Sequence, residues 1–190
     1  MVKVVGVVGS PRKDGNTEFL LKEALSAAKS AGAKTEVILL HDKTIGPCDG
    51  CLSCHKTSKC RIEDDFQSVF EKMKEADGII LASPVYFGSV TPQMKSLIDR
   101  AGYINVVTPA PDRPLKNKVG CPIVVARKSG HFLTYAQMLI FFLTSSMIVP
   151  GGAIASALEK GDVVKDEEGI KMARGIGKRI VWLTKKLQSP

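Results

Sequence analysis

The sequence has no run of basic residues and no nucleic-acid-binding motif, so its net charge of +8 does not point to nucleic acid. The cations are scattered, with only a mild gathering at Lys178, Arg179, Lys185 and Lys186. A diffuse basic surface suits an acidic protein partner. A secretory signal is also missing. Met1 to Gly9 lacks the charged, apolar and small-residue regions of a leader and reads as a strand. No membrane-spanning helix is expected either. Phe132 to Val149 carries no charge, but Thr134, Gln137, Thr144, Ser145 and Ser146 interrupt it, and Pro150-Gly151-Gly152 closes it. A span needs about 20 predominantly apolar residues, so this stretch reads as a buried or subunit-interface helix. Internal repeats and low-complexity tracts are absent.

What remains is an ordinary globular composition. The 190 residues are 44% hydrophobic, enough for a single domain with a sizeable core. Four of the five cysteines fall in one short segment, Cys48, Cys51, Cys54 and Cys60, spaced C-x2-C-x2-C-x5-C. Thiols clustered in this way, with no leader, suit a reducing, cytoplasmic setting. Cysteines separated by two residues wrap a cubane [4Fe–4S] centre in ferredoxin-type loops. Structural zinc usually takes its thiolates as two separate C-x2-C knuckles. Zinc and free, redox-active thiols are the alternatives. Cysteines so close in sequence are poor disulfide partners for one another.

Val2 to Val8 is a nearly continuous β-branched run, as expected of a strand buried on both faces of a parallel sheet. It ends in Gly9-Ser10-Pro11-Arg12-Lys13-Asp14-Gly15-Asn16-Thr17, and an amphipathic helix follows from Glu18. Strand, polar glycine-containing loop and helix place free backbone N–H groups where a phosphate can bind. Ser10, Asn16 and Thr17 offer side-chain donors, and Arg12 a charge. The loop is neither G-x4-G-K-[ST] nor G-x-G-x-x-G, so a single phosphate monoester suits it better than a triphosphate or pyrophosphate.

Thr35 to Leu40 reads as the second strand, with the cysteine segment (residues 47–61) inserted after it. Such a position puts it on the ligand-binding edge of an α/β sheet. Asp77 to Ser83 gives the third strand. It runs into Pro84-Val85-Tyr86-Phe87-Gly88, whose backbone amides and flat side chains can grip a planar heterocycle. A helix is expected from Pro92 to Arg100, ending near Gly102. Residues 105–117, with Pro109, Pro111 and Pro114, read as a long irregular loop. Lys118 to Ala126 gives the fourth strand, in which Cys121 reads as a buried small hydrophobe. Arg127-Lys128-Ser129-Gly130-His131 supplies a third polar loop on the same edge. Ala153 to Ala157 and Glu167 to Leu187 complete the chain as a fifth strand and closing helix. The alternation predicts a flavodoxin-like, doubly wound, five-stranded parallel sheet with a cysteine-rich insert after strand 2.

Gly9-Ser10-Pro11-Arg12 with Gly15-Asn16-Thr17, the compact cysteines, and Ser83-Pro84-Val85-Tyr86-Phe87-Gly88 with Lys95 and Asp99-Arg100 together resemble the iron–sulfur flavoprotein family. This is a branch of the NADPH-dependent FMN reductase-like flavodoxin fold. The resemblance covers Val2 to about Gly152. It implies that Ser10, Arg12, Gly15, Asn16 and Thr17 hold the FMN phosphate, and that Pro84, Val85, Tyr86, Phe87 and Gly88 hold the isoalloxazine edge. Arg127, Ser129 and His131 would border the ring, although the family's third loop is usually richer in glycine. Cys48, Cys51, Cys54 and Cys60 would hold a [4Fe–4S] cluster. A homodimer or homotetramer is implied, as is electron flow from a donor such as a ferredoxin-like acidic protein through the cluster to FMN and on to an acceptor such as oxygen or peroxide. No side chain is expected to act as a nucleophile. The same residues also fit an NAD(P)H-dependent flavin or quinone reductase, or a non-enzymatic redox sensor or electron carrier.

Overall fold

A computed structural model describes residues 1–110 and 112–189. The strands are β1 (Lys3–Val8), β2 (Lys34–Leu39), β3 (Gly78–Pro84), β4 (Val119–Ala126) and β5 (Ala153–Ser156). They form one sheet in the order β2-β1-β3-β4-β5, every pairing parallel. The helices are α1 (Asn16–Ser30), α2 (Cys54–Thr57), α3 (Phe66–Glu75), α4 (Pro92–Val107), α5 (His131–Thr144) and α6 (Glu167–Gln188). Short 3-10 turns lie at Leu40–Asp42 and Asp162–Lys165. This is the flavodoxin-like order expected from the sequence.

The β-branched run of β1 explains the layering. Alternate side chains face opposite sides of a strand. Val5 and Val7 join Phe66, Met73, Met94, Leu97 and Phe142 in one core, beneath α3, α4 and α5. Val4 and Val8 join Leu20, Leu21, Ile176 and Ile180 in the other, beneath α1 and α6. The helices α1 and α6 meet closely at Gly177, where a Cβ would lie 2.0 Å from the Ala24 carbonyl oxygen. Cys121 is fully buried in β4, and burial pushes its thiol up to about 12.

One stretch differs from expectation. The helix α4 does not stop near Gly102; it runs through Val107, so residues 105–107 belong to it and not to an irregular loop. Asn105 is buried, and both polar atoms of its side chain are bonded. Its Nδ2 donates to the Ser145 carbonyl at 3.2 Å, and its Oδ1 accepts from Leu115 N at 2.9 Å. With its polar group satisfied by distant backbone, the residue that looked like a loop start continues the helix. Pro111 lies outside the described residues.

The helix α5 is two-faced. It buries Thr134, Met138, Phe141 and Phe142 and exposes Phe132, Leu133, Ile140 and Leu143. Among the described residues, no helix is long and apolar enough to cross a membrane.

Candidate functional site

The carboxyl ends of β1, β3, β4 and β5 open onto a pocket of about 180 Å³. Nine of the predicted residues line it: Ser10, Arg12, Gly15, Asn16, Thr17, Pro84, Val85, Tyr86 and Arg127. It shares Arg127, Ala157 and Leu158 with a wider cleft of about 810 Å³ beside the start of α6. Val125, Ala126, Ala157, Leu158 and Lys160 also line the pocket, and the sequence reading passed over them. Their position just at or beyond the carboxyl ends of β4 and β5 is the signal that could have found them.

The first loop is held by short local bonds. Ser10 is buried, and its hydroxyl accepts from Arg12 N at 3.2 Å. Asp14 takes a left-handed backbone (φ +51°), and its N–H donates to the buried Glu18 carboxylate at 2.8 Å. Gly15 caps α1 without a side-chain bond. Since the first amides of a helix lack intrahelical partners, those of α1 remain available to an anion. The Asn16 side chain, however, is already engaged. Its Nδ2 donates to the Glu159 carbonyl at 2.7 Å, and its Oδ1 accepts from Gly161 N at 2.8 Å and Val163 N at 3.4 Å. It ties the first loop to the β5–α6 turn, where the sequence suggested a phosphate donor.

Thr91, at the N-cap of α4, joins the first loop to the second. Its hydroxyl donates to the Gly9 carbonyl at 2.6 Å and accepts from Met94 N at 3.3 Å, and its own N–H donates to Ser83 Oγ at 3.1 Å. Between them, Tyr86 and Ser89 pair antiparallel around Phe87 (φ +50°) and Gly88 (φ +79°), the pattern of a type I′ turn. The turn carries Phe87 to its tip, fully exposed, so Phe87 and Gly88 do not line the pocket. Ser129 and His131 do not line it either. Instead the third loop packs on the second through Gly130 (φ +88°), where a Cβ would lie 2.7 Å from Val85 Cγ1. His131 Nε2 lies 3.2 Å from the Ala155 carbonyl oxygen. Lys95 and Asp99 form an exposed ion pair at 2.6 Å on α4.

The cysteine insert forms a second pocket. Cys48, Cys51, Cys54 and Cys60 line it together with Arg61, Ile62, Arg100, Tyr103 and Ile104. It has no wall residue in common with the first pocket. The insert leaves the sheet's carboxyl edge but folds back along α4. Arg100 lies eight residues after Pro92, which at about 1.5 Å per residue is some 12 Å along the helix. His55 Nε2 meets Tyr103 Oη at 2.6 Å and fastens α2 to α4. The Cys51 thiol is drawn down by hydrogen bonds from Ser53 and then Arg61, while burial pushes the Cys54 thiol up.

Arg100 is buried behind this pocket. It donates to Asp64 at 2.7 Å and to the Gly46 and Ile62 carbonyls at 3.0 Å each, and it stacks over the Phe66 ring at 4.2 Å. Its Nε has no hydrogen-bond partner among the described residues. Burial alone would raise the Asp64 carboxyl, but Arg100 and the amides of Gly46 and Phe66 outweigh it and hold the group below the usual carboxylate range. Four free thiols ringing one pocket, with an unused buried N–H behind them, fit a group that takes one thiolate at each corner and accepts a hydrogen bond. Among the described residues, no three His, Cys, Asp or Glu side chains converge on a point that would hold a single ion.

Comparison with known proteins gives the family. Residues 2–160 match the family described as NADPH-dependent FMN reductase. The chain is 42% identical to an iron–sulfur flavoprotein of Methanocaldococcus jannaschii over 194 residues, covering 97% of this chain and 98% of that one. It is 35% identical to an iron–sulfur flavoprotein of Archaeoglobus fulgidus over 196 residues, again covering 97% and 98%. Among solved structures, RosB with bound 8-demethyl-8-formylriboflavin-5'-phosphate superposes with a TM-score of 0.80 at 19% identity, covering 99% of this chain and 81% of that one, a likeness of fold. With its sheet order, its three-loop pocket and its four-cysteine insert, the chain belongs to the NADPH-dependent FMN reductase family, in the branch of the iron–sulfur flavoproteins.

Proposed function

We propose that this protein is an FMN-dependent oxidoreductase. In this reading it passes electrons from a ferredoxin-like acidic donor, through a [4Fe–4S] cluster on Cys48, Cys51, Cys54 and Cys60, to FMN and on to an acceptor such as oxygen or peroxide. The observation that carries it is the pairing of two pockets in one chain: three loops at the sheet edge, and four thiols beside α4.

Bound flavin supplies one- and two-electron chemistry, and bound cluster one-electron chemistry; the protein supplies position and electrostatics. The first-turn amides of α1, with Arg12, would hold the phosphate. The Pro84–Tyr86 segment and the Val125–Arg127 segment, joined by the bond from Val85 N to the Val125 carbonyl, would border the ring. Thr91 keeps the first two loops in register. Arg61 and Arg100 place positive charge beside the thiolates. The net charge of +8 favours encounter with an acidic donor. The thiols fit a cytoplasmic setting. The exposed apolar residues of α5, with Phe87 nearby, support a homodimer or homotetramer.

Iron, sulfide and flavin analysis of anaerobically purified Cys54→Ser tests the reading. The variant should lose iron and donor-linked turnover while keeping FMN. Retention of both iron and donor-linked turnover would overturn the ligand assignment. The family match supports a second reading, direct reduction of FMN by NADPH. In that case NADPH would reduce the flavin of Cys54→Ser as fast as that of the wild type.

A further inference from the structure

We propose that Arg100 is a positioning residue for the cysteine-held cluster: it closes the neck of the insert and turns a buried positive charge, through Nε–H, toward the thiolates. The inference rests on the reading of the four cysteines as cluster ligands.

Three observations carry it. The first is the bonding pattern. Arg100 Nη1 donates to the Gly46 carbonyl, two residues before Cys48, and Nη2 donates to the Ile62 carbonyl, two residues after Cys60. One side chain therefore spans both ends of the cysteine segment. Asp64 completes the clasp by accepting from Gly46 N at 2.9 Å as well as from Arg100.

The second is the charge. Arg100 is the largest of the fully buried side chains, although arginine is almost never fully buried without partners. Neutral donors would suffice to bond two carbonyls. Burying a guanidinium carries a large desolvation cost, which one carboxylate only partly offsets. A cluster carried by four thiolates is anionic, and a cation in a low-dielectric wall attracts it far more strongly than one in water.

The third is the orphaned donor. Nε is buried and unpartnered, in a residue that lines the same pocket as the four thiols. Hydrogen bonds to the sulfurs and nearby charge are two of the levers that set a cluster's reduction potential. A cation and a donor both favour the reduced, more negative form. Arg61 also borders the pocket, but it is 57% exposed and paired with Asp49, so solvent screens it.

The test uses anaerobically purified full-length protein and two readouts besides turnover: the cluster's midpoint potential by spectroscopic titration, and the rate of iron loss to a chelator. Arg100→Met should shift the potential to more negative values and release iron about 10-fold faster or more, as expected for loss of an outer partner. Arg100→Lys keeps the charge but not the fork. It should hold the potential near wild type yet still lose iron faster. Arg61→Met should shift the potential less than Arg100→Met, because solvent screens its charge and Asp49 shares it. Where Arg100→Met fails to fold because Asp64 is left unpaired, Arg100→Met/Asp64→Asn removes both charges and should show a smaller shift in the same direction. An iron-bearing Arg100→Met variant with the wild-type potential, or an equal shift in Arg61→Met, overturns the proposal. A wild-type chain that takes up no iron overturns the functional reading, and the proposal with it.

Discussion

The hydroxyl of Thr91 is a small group on which two loops depend, and Thr91→Val removes it with little change of shape. Two bonds are lost in a fully buried site: the donation to the Gly9 carbonyl and the acceptance from Met94 N. Loss of an N-cap acceptor costs about 1 kcal/mol. Leaving the buried Gly9 carbonyl without its partner costs a further 1–3 kcal/mol or so. The sum is about 2–4 kcal/mol, which for a chain of this size lowers Tm by roughly 9 °C at its centre. Thr91→Ser keeps both bonds and should melt within a few degrees of wild type. Because Gly9 opens the first loop, FMN affinity should fall several-fold in the valine variant, read by flavin fluorescence on the cofactor-free protein. A valine variant that melts with the wild type and binds FMN equally would refute the argument. So would a serine variant as poor as the valine one.

At Gly177, alanine would gain about 1 kcal/mol of helix propensity, yet its methyl would sit 2.0 Å from the Ala24 carbonyl oxygen. The clash is with backbone, so α1 and α6 must part, and the urea midpoint should fall rather than rise. Asn16→Ala removes all three bonds to residues 159–163. Limited proteolysis should then cut this turn sooner in the cofactor-free variant; an unchanged cleavage pattern would count against the staple. Asp64 is more acidic in the folded protein than in the unfolded chain. Its contribution is therefore complete above the unfolded carboxylate value of about 3.9 and disappears as pH falls through the lower folded one. The stability gap between wild type and Asp64→Asn, measured by urea unfolding, should be constant near neutrality and shrink in acid. A gap that persists undiminished to the lowest pH would show that the carboxylate's charge is not what matters.

The sheet was legible because its inner strands are buried on both faces. In β4 every residue is buried, and in β1 every residue after Lys3, so their apolar runs carry no competing signal. The cysteine spacing was legible because its information is local. What escaped was long-range. Asn105 looks like a loop residue until Ser145 and Leu115 are seen to bind it. Asn16 looks like a phosphate donor until its amide is found on residues more than 140 positions away. Phe87 looks like part of a ring-binding surface, but a turn with two positive φ values points it outward. The insert was expected on the flavin edge because it follows β2. Its actual place is set by Arg100 and Tyr103 on a helix that the sequence reading ended too early.

The Asn16 staple also bears on the order in which the protein can be made. The first loop leaves the ribosome 143 residues ahead of Glu159. Synthesis proceeds at about 5–20 residues per second, so at least 7 seconds separate the two halves of this contact. For that interval the nascent chain holds a first loop that lacks its far wall. A short chain ending before β5 should therefore be unable to retain flavin, however well its first four strands have paired. Cofactor capture must wait until residues 159–163 have emerged.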